Sequence, residues 1–125
     1  MLNGNHLTRE IIAAAIEVHR HLGPGLLEST YEECLFTELL ERDLRVKRQI
    51  ALPISYKGRK LDAGYRVDLL VNNQVILELK AIKQIESIHQ AQLLTYLKLA
   101  NKKYGLLLNF NVPVMKQGVC RMLNG

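Results

Sequence analysis

Asp68, Glu78 and Lys80 are the residues of this chain whose types and spacing could do chemistry. They lie in two alternating runs between Gly64 and Ile82, which an Asn-Asn turn joins. If both runs are strands, the apolar side chains share one face and these three polar side chains fall on the other. Two carboxylates that face each other across a hairpin repel unless a cation lies between them. Paired acids of this kind bind Mg²⁺ in phosphoryl chemistry, with water and substrate completing the coordination.

The hairpin can bury one apolar face only if its loop contains an odd number of residues, most simply Asn72–Gln74. Asp68 then lies opposite Glu78, and Lys80 lies opposite Arg66. The apolar face carries Val67, Leu69, Val71, Val75, Leu77 and Leu79. A solvated sheet face whose acids and bases form salt bridges is the more ordinary interpretation of an isolated acid pair, so the rest of the chain must decide.

Length and charge narrow the class of protein. A chain of 125 residues that is 48% apolar should fold around a single core. The net charge of +5 and the pI of about 9.4 favour a polyanionic partner. Seven of the 17 basic residues lie between positions 42 and 60, and this clustering is better evidence for such a partner than the total.

Two cysteines, Cys34 and Cys120, are far apart in the sequence and fit reduced packing residues, which indicates a cytoplasmic protein. No CxxC or HExxH spacing predicts a zinc site. The start of the chain lacks the basic and apolar runs of a signal peptide, and no apolar stretch is long enough for a membrane span.

The first two of three predicted helices precede the central hairpin. Thr8 is the predicted N-cap of the first, Glu10 complements its positive end, and Gly23 stops it. The second starts at about Ser29, which forms a capping-box pattern with Glu32.

Glu28 falls at the very start of the second helix. Complementation of the helix dipole, worth roughly 0.3 to 1 kcal/mol, explains an acid there without any catalytic role. Tyr31 in the same helix fits core packing against Leu35.

The third helix follows the hairpin and opens with Ser87 and Gln90 in another capping-box pattern. His89, Gln92 and Tyr96 then share one stripe of the helix. The stripe also fits a core tyrosine beside a half-buried glutamine that bonds to the backbone.

Strand patterns account for the rest of the chain. The predicted strands are residues 45–56, with Pro53 at an edge or bulge, then Leu61–Val71, Gln74–Ala81, Tyr104–Phe110 and Val114–Leu123. A basic turn at residues 57–60 separates the first two. A meander of three strands, a helix and a returning buried strand predicts an α/β fold, a mixed sheet flanked by helices.

Four motifs occur in a fixed order: Gly25-x-x-Glu28-x-x-Tyr31, Val67-Asp68, Glu78-x-Lys80 and Gln92-x-x-x-Tyr96. From about Leu7 to Met122 the chain resembles the small bacterial GxxExxY family, which is grouped with the PD-(D/E)xK nuclease superfamily. The resemblance implies a restriction-endonuclease-like core made of a helix, a β-meander, a helix and a further strand. Val67 replaces the proline of the superfamily's name, which binds no metal.

The resemblance also implies roles by position. Asp68 and Glu78 would bind Mg²⁺ or Mn²⁺ with the backbone carbonyl of Leu79, and Glu28 matches an extra acid that some members add. Lys80 would orient or deprotonate the attacking water and offset charge on the phosphate. Its ammonium is normally protonated near pH 7, so charge stabilisation is the simpler role.

Further residues would support the site and hold the substrate. Gln92 and Tyr96 match the Q-x-x-x-Y element of the RecB-like branch, which supports the site and contacts the nucleic acid, and Tyr31 completes the GxxExxY motif. The basic residues expected to contact phosphates are Arg45, Lys47, Arg48, Lys57, Arg59 and Lys60.

Three functions follow from the sequence. The first is a Mg²⁺-dependent nuclease, the second a non-catalytic nucleic-acid-binding module on the same fold, and the third an interaction subunit without nucleic acid. The chain contains no recognition helix or zinc finger, so the sequence does not favour DNA over RNA. A domain of this size often works as a homo-oligomer, but no stretch identifies an interface.

Overall fold

Three segments with helical apolar spacing form the helices of the computed structural model, which describes residues 4–125. They are α1 (Gly4–Leu22), α2 (Glu28–Glu41) and α3 (Ser87–Ala100). All three lie where the sequence predicts helices, although none begins with the predicted cap. Within the described residues, no helix is long and apolar enough to cross a membrane.

The predicted start of α1 is wrong. Thr8 lies inside the helix, where its hydroxyl donates a hydrogen bond to the Asn5 carbonyl at 2.9 Å. A Ser or Thr hydroxyl can bond to a nearby carbonyl as well as cap a helix, so the residue type alone does not locate the cap. Glu10 does not lie at the helix end either, and it forms an ion pair with Arg42 at 3.0 Å.

The two other capping boxes are also displaced. Ser29 lies inside α2, because the helix begins one residue earlier and Leu27 takes the cap position. Ser87 is the first residue of α3, and the cap before it is Glu86. The Glu86 backbone N–H donates to Nδ1 of His89 at 2.9 Å, so His89 closes the helix end.

Within residues 4–125, seven strands form two sheets. The strands are β1 (Val46–Ala51), β2 (Ile54–Tyr56), β3 (Arg59–Leu61), β4 (Arg66–Val71), β5 (Val75–Lys80), β6 (Tyr104–Asn109) and β7 (Val119–Leu123). The main sheet has the order β1-β4-β5-β6-β7, while β2 and β3 form a separate hairpin. Among the strands of the described residues, only β5 and β6 pair in parallel, because α3 crosses over between them. The predicted mixed sheet flanked by helices is therefore confirmed, with β1, β4 and β5 as the meander and β6 as the returning strand.

The predicted strand over residues 45–56 is divided into β1 and β2. Pro53 has no N–H to give to a ladder, and the chain leaves the main sheet there. The backbone N–H of Leu52, just before it, donates to the carbonyl of Tyr65 at 2.9 Å. The small hairpin is therefore joined to the start of β4.

Two further strand predictions are too long. The segment Leu61–Val71 is divided between β3 and β4, because Lys57 and Gly58 with φ of 49° and 78° form a tight turn that pairs β2 with β3. The segment Val114–Leu123 starts as a strand only at Val119. Met115–Gly118 before it forms a single 3-10 turn.

Helices cover both faces of the main sheet. The predicted apolar face of the central hairpin packs against α1 and α2 through Leu69, Val71, Val75, Leu77 and Leu79. Val67 is an exception, because it packs with Leu52 and Tyr96 on the α3 side. Its partner strand β1 contains Gln49 in a left-handed backbone conformation (φ 50°), and regular alternation is not kept there. The opposite face is not solvated throughout, since Ile76 is buried beneath α3.

Candidate active site

The two acids of the central hairpin lie on the same side of the sheet, as predicted. The register pairs Leu69 with Leu77 and Val71 with Val75, which leaves Asn72–Gln74 as the predicted three-residue turn. Beyond the Leu69 pair, the acid side chains take over the hydrogen bonds between the strands.

The acids bond to each other's strands. The backbone N–H of Asp68 donates to Oε2 of Glu78 at 2.9 Å, and the backbone N–H of Leu79 donates to Oδ2 of Asp68 at 2.8 Å. Each carboxylate is thereby fixed by a neighbouring backbone group. The arrangement holds two acids side by side at the point where β4 and β5 separate.

The environment of this pair disfavours two negative charges. Glu78 is only 6% exposed, and burial followed by the charge of Asp68 raises its pKa to about 8. Burial also raises the pKa of Asp68, although the hydrogen bond from Leu79 opposes this. In residues 4–125 neither acid forms an ion pair with a Lys or Arg side chain. The interpretation of a face neutralised by salt bridges therefore does not fit these acids.

Lys80 ends β5 two residues beyond Glu78, on the same strand face. It is half-buried, and its positive charge lowers the pKa of both Asp68 and Glu78, without forming an ion pair with either. The lysine therefore contributes charge to the site while its ammonium remains available.

Glu28 opens α2 and is exposed. Its charge contributes to the raised pKa of Glu78, which brings this helix acid into the same electrostatic environment as the sheet acids. Tyr31, one turn further along α2, is fully buried. Its hydroxyl donates to the Gly23 carbonyl at 2.6 Å and accepts from the Leu26 N–H at 3.1 Å, so it fixes the loop that precedes Glu28.

Gln49 is a site residue that the sequence analysis missed. Its side-chain amide donates to Oε1 of Glu32 at 2.8 Å and reaches Oδ1 of Asp68 at 3.4 Å. Arg48 bonds the other oxygen of Glu32 at 3.0 Å. Neighbouring residues of a regular strand point to opposite faces, but the left-handed φ of Gln49 lets both side chains reach Glu32.

A register for β1 would have found Gln49. The ladder pairs Arg48 with Leu69 and Ile50 with Val67, so Gln49 is the residue that faces Asp68. The sequence predicts the strand but not its register. A left-handed backbone is also not expected at glutamine from its residue type.

Gln92 and Tyr96 meet in the structure. The Gln92 side-chain amide donates to the Tyr96 hydroxyl at 3.0 Å, so the alternative that Gln92 bonds to the backbone is wrong. Tyr96 is a core residue, packed with Leu93 and Val67, and it is also close to the acids. Burial and then the charge of Glu78 raise the pKa of the Tyr96 hydroxyl.

The predicted phosphate-contacting residues fall into two groups. Arg48 pairs with Glu32 at 3.0 Å and with Glu33 at 2.8 Å, so its charge is already offset within the protein. The other five are exposed, and in the described part of the chain none of them forms an ion pair: Arg45, Lys47, Lys57, Arg59 and Lys60.

Among residues 4–125, no group of three or more His, Cys, Asp and Glu side chains is placed to hold a metal ion together. Two carboxylates without a cation do fit an open Mg²⁺ or Mn²⁺ site, because Mg²⁺ usually binds one or two carboxylates and keeps several waters. The donors are hard oxygens, as that ion prefers.

Comparison with known proteins gives one match. A family model described as the PD-(D/E)XK nuclease superfamily matches residues 5–122, nearly the whole chain. No curated protein and no solved structure matches it.

Proposed function

Because the chain belongs to the PD-(D/E)XK nuclease superfamily, we propose that it hydrolyses phosphodiester bonds of nucleic acids with Mg²⁺ or Mn²⁺ at Asp68 and Glu78. One observation carries this proposal. Two acids are held side by side by each other's strands, with Glu78 buried and Asp68 half-buried, and within residues 4–125 neither has the Lys or Arg ion pair that such acids usually need. Perturbed acids of this kind are typical of functional sites.

Each residue has a proposed role. When bound, the metal supplies a water of lowered pKa and compensates charge on the phosphate. Asp68, Glu78 and the Leu79 carbonyl would hold it, and Glu28 of α2 would add negative charge nearby, since it forms no three-acid group with them among residues 4–125. Lys80 stabilises negative charge on the phosphate, and this role is supported by the fact that its ammonium forms no ion pair with any of residues 4–125.

A second set of residues shapes the site. Gln49 orients Asp68 through its amide, and Gln92 and Tyr96 form the wall next to Glu78. Tyr31 holds the loop before Glu28. Glu28 and Tyr31 belong to the GxxExxY motif, which supports placing the chain in the GxxExxY family.

Exposed cations away from the acids support binding of the phosphate backbone. Arg45 and Lys47 lie on and beside β1, while Lys57, Arg59 and Lys60 lie on the β2–β3 hairpin. We do not include Arg48 among the phosphate contacts, because Glu32 and Glu33 already hold it. These exposed cations also favour the alternative function, a nucleic-acid-binding module without turnover.

Cleavage assays separate the two functions. Labelled DNA and RNA, single- and double-stranded, are incubated with Mg²⁺ or Mn²⁺ and either wild-type protein, Asp68→Asn or Glu78→Gln. Loss of a metal ligand should reduce cleavage by about 10³-fold, since the metal stabilises the transition state by several kcal/mol. In a Mn²⁺ titration, both variants should bind the metal more weakly than the wild-type protein does. Undiminished cleavage by either variant would refute the assigned site.

A matched control is Glu41→Gln, an exposed acid at the other end of the helix that carries Glu28. It should cleave and bind Mn²⁺ as the wild type does. Lys80→Met should lose cleavage while it keeps Mn²⁺ affinity. Salt-sensitive binding without cleavage under any of these conditions would establish the binding module instead.

A further inference from the structure

An apolar groove lies next to the acid pair, on the α3 side of the sheet. Its volume is about 540 Å³. We call it the α3 groove, and its lining residues come from β2, the start of β4 and α3: Ile54, Tyr65, Ile88, His89, Ala91, Gln92, Thr95, Tyr96 and Leu99.

The groove shares a wall with the candidate active site. Gln92 and Tyr96 line it, and the Tyr96 hydroxyl is close enough to Glu78 for the charge of that acid to raise the pKa of the hydroxyl. The ring of Tyr65 stands edge-on to that of Tyr96, with 5.9 Å between centroids. A chain held at the acids would therefore have the groove beside it.

Much of the groove lining is apolar and accessible. Ile88 is 67% exposed and Tyr65 is 40% exposed, and Leu99 is partly exposed as well. Adjacent exposed apolar side chains that surround a cavity indicate a ligand-binding surface.

The β2–β3 hairpin adds positive charge to this surface. Ile54 pairs with Leu61, and Tyr56 pairs with Arg59. Alternation therefore places Tyr56 and Arg59 on the same hairpin face as Ile54, which lines the groove. Lys57 lies over the Tyr56 ring at 5.4 Å, and residues 54–61 contain no acid.

A ligand that carries both flat apolar groups and phosphates would fit this surface. Building on the proposed nuclease function, we propose that the α3 groove receives an unpaired nucleobase of the strand bound at the acids, with Tyr65 and Ile88 as its contacts and Arg59 on a neighbouring phosphate. Bases within a duplex are covered by their neighbours, so only an unpaired base presents its face to a protein. The inference makes single-stranded nucleic acid the preferred substrate.

A second copy of the chain is a weaker match to the same surface. The protein has a net charge of +5, and the hairpin beside the groove carries only basic charge. Two such surfaces brought together would repel each other unless an anion lay between them.

Binding without cleavage tests the inference directly. Fluorescence anisotropy in EDTA compares labelled single strands of DNA and RNA with duplexes of the same sequence. Single strands should bind more tightly, and Tyr65→Ala should weaken their binding by about 10-fold, the scale of one base stacked on an aromatic ring. Tyr65→Phe should bind as the wild type does.

Two isoleucines make a matched pair for the same assay. Ile88→Ala should weaken binding of single strands, while Ile16→Ala, at another exposed helical position on α1, should not change it. Replacement of single bases by abasic sites, with wild-type protein, provides a measurement that needs no variant. At least one such position should weaken binding by a similar factor.

Several results would overturn the inference. These are equal affinity for single strand and duplex together with unchanged binding by Tyr65→Ala, insensitivity to every abasic position, or a dimer that Ile88→Ala dissociates in sedimentation. Cleavage that depends on Asp68 alongside such results would leave the nuclease function intact. Base-dependent binding with no cleavage would instead retain the groove and reject the nuclease function.

Discussion

Two buried glutamates near this site have opposite surroundings, one with a cation as its partner and the other with an acid as its neighbour. Glu32 on α2 is 9% exposed, and it receives Arg48 at 3.0 Å and the Gln49 amide at 2.8 Å. Glu78 on β5 is 6% exposed, and its hydrogen bond comes from a backbone N–H at 2.9 Å.

The difference is what the two proposed roles require, a structural role for Glu32 and metal binding for Glu78. A buried carboxylate that only has to be stable is given a cation and hydrogen bonds, as Glu32 is. Glu78 has Asp68 as its neighbour instead, which makes this acid pair less stable than one compensated by a cation. Functional sites are commonly less stable than the rest of the protein, because their residues are arranged for a ligand and not for stability.

The largest predicted effect is a loss of stability of the metal-free protein as the pH rises. Unfolded Glu78 releases its proton near 4.5, while in the folded state its pKa is about 8. The folded state therefore binds more protons between these values, and the free energy of unfolding falls as pH rises through that window. We expect a decrease on the order of 3 kcal/mol, measured by urea denaturation in EDTA.

Glu78→Gln isolates this effect from the other acids. The variant should lose most of the decrease, with only the part due to Asp68 remaining, and should be more stable than the wild type at the high end of the window. Glu32→Gln should keep the decrease, because its partner set does not involve Glu78. Parallel stability curves for the wild type and Glu78→Gln would contradict the contrast between the two glutamates.

A smaller effect is predicted for the partner of Glu32. Arg48→Met leaves a buried carboxylate without its cation and should lower the free energy of unfolding by about 2 kcal/mol, less than a fully buried pair because Arg48 is partly exposed. Arg20→Met removes an exposed pair with Glu17 and should leave the free energy of unfolding nearly unchanged. If Arg48→Met and Arg20→Met lowered the free energy of unfolding equally in urea denaturation, Glu32 would not depend on its cation more than an exposed acid does.

The smallest effect concerns Gln49, which connects the two acid environments. Gln49→Ala removes the amide near Asp68 and should weaken Mn²⁺ binding by about 10-fold, as loss of a residue that orients a metal ligand does. Gln49→Gly should lose the same affinity but be more stable than Gln49→Ala by about 1 kcal/mol, because glycine tolerates the left-handed φ of 50°. Wild-type Mn²⁺ affinity in both variants would leave Gln49 with a packing role alone.

The parts of the fold that the sequence predicts are those that depend on periodicity. Alternation places Asp68 and Glu78 on one side of the sheet, and helical spacing locates α3 between the parallel strands β5 and β6. A period of two leaves no freedom once one face is buried, so the hairpin register follows from parity alone.

The missed features depend on single backbone conformations. The β2–β3 hairpin requires positive φ at Lys57 and Gly58, and the Glu32 network requires it at Gln49. A lysine or glutamine does not reveal such a conformation, because its energy is offset by tertiary contacts. The helix caps were missed for a similar reason, since Thr8 has more than one local hydrogen-bonding option.

The buried ring of Tyr31 has a consequence for the motif that contains it. The ring stacks on Phe110 with 4.5 Å between centroids, and the Phe110 N–H donates to the carbonyl of Lys80 at 2.9 Å. The tyrosine thus anchors the first turn of α2 to the end of the strand that bears Glu78. One residue inserted between positions 28 and 31 would rotate Glu28 by about 100° around the helix axis while the anchor stayed in place. The spacing of the motif therefore fixes the direction of Glu28 around the helix axis relative to the ring that ties α2 to the end of β5.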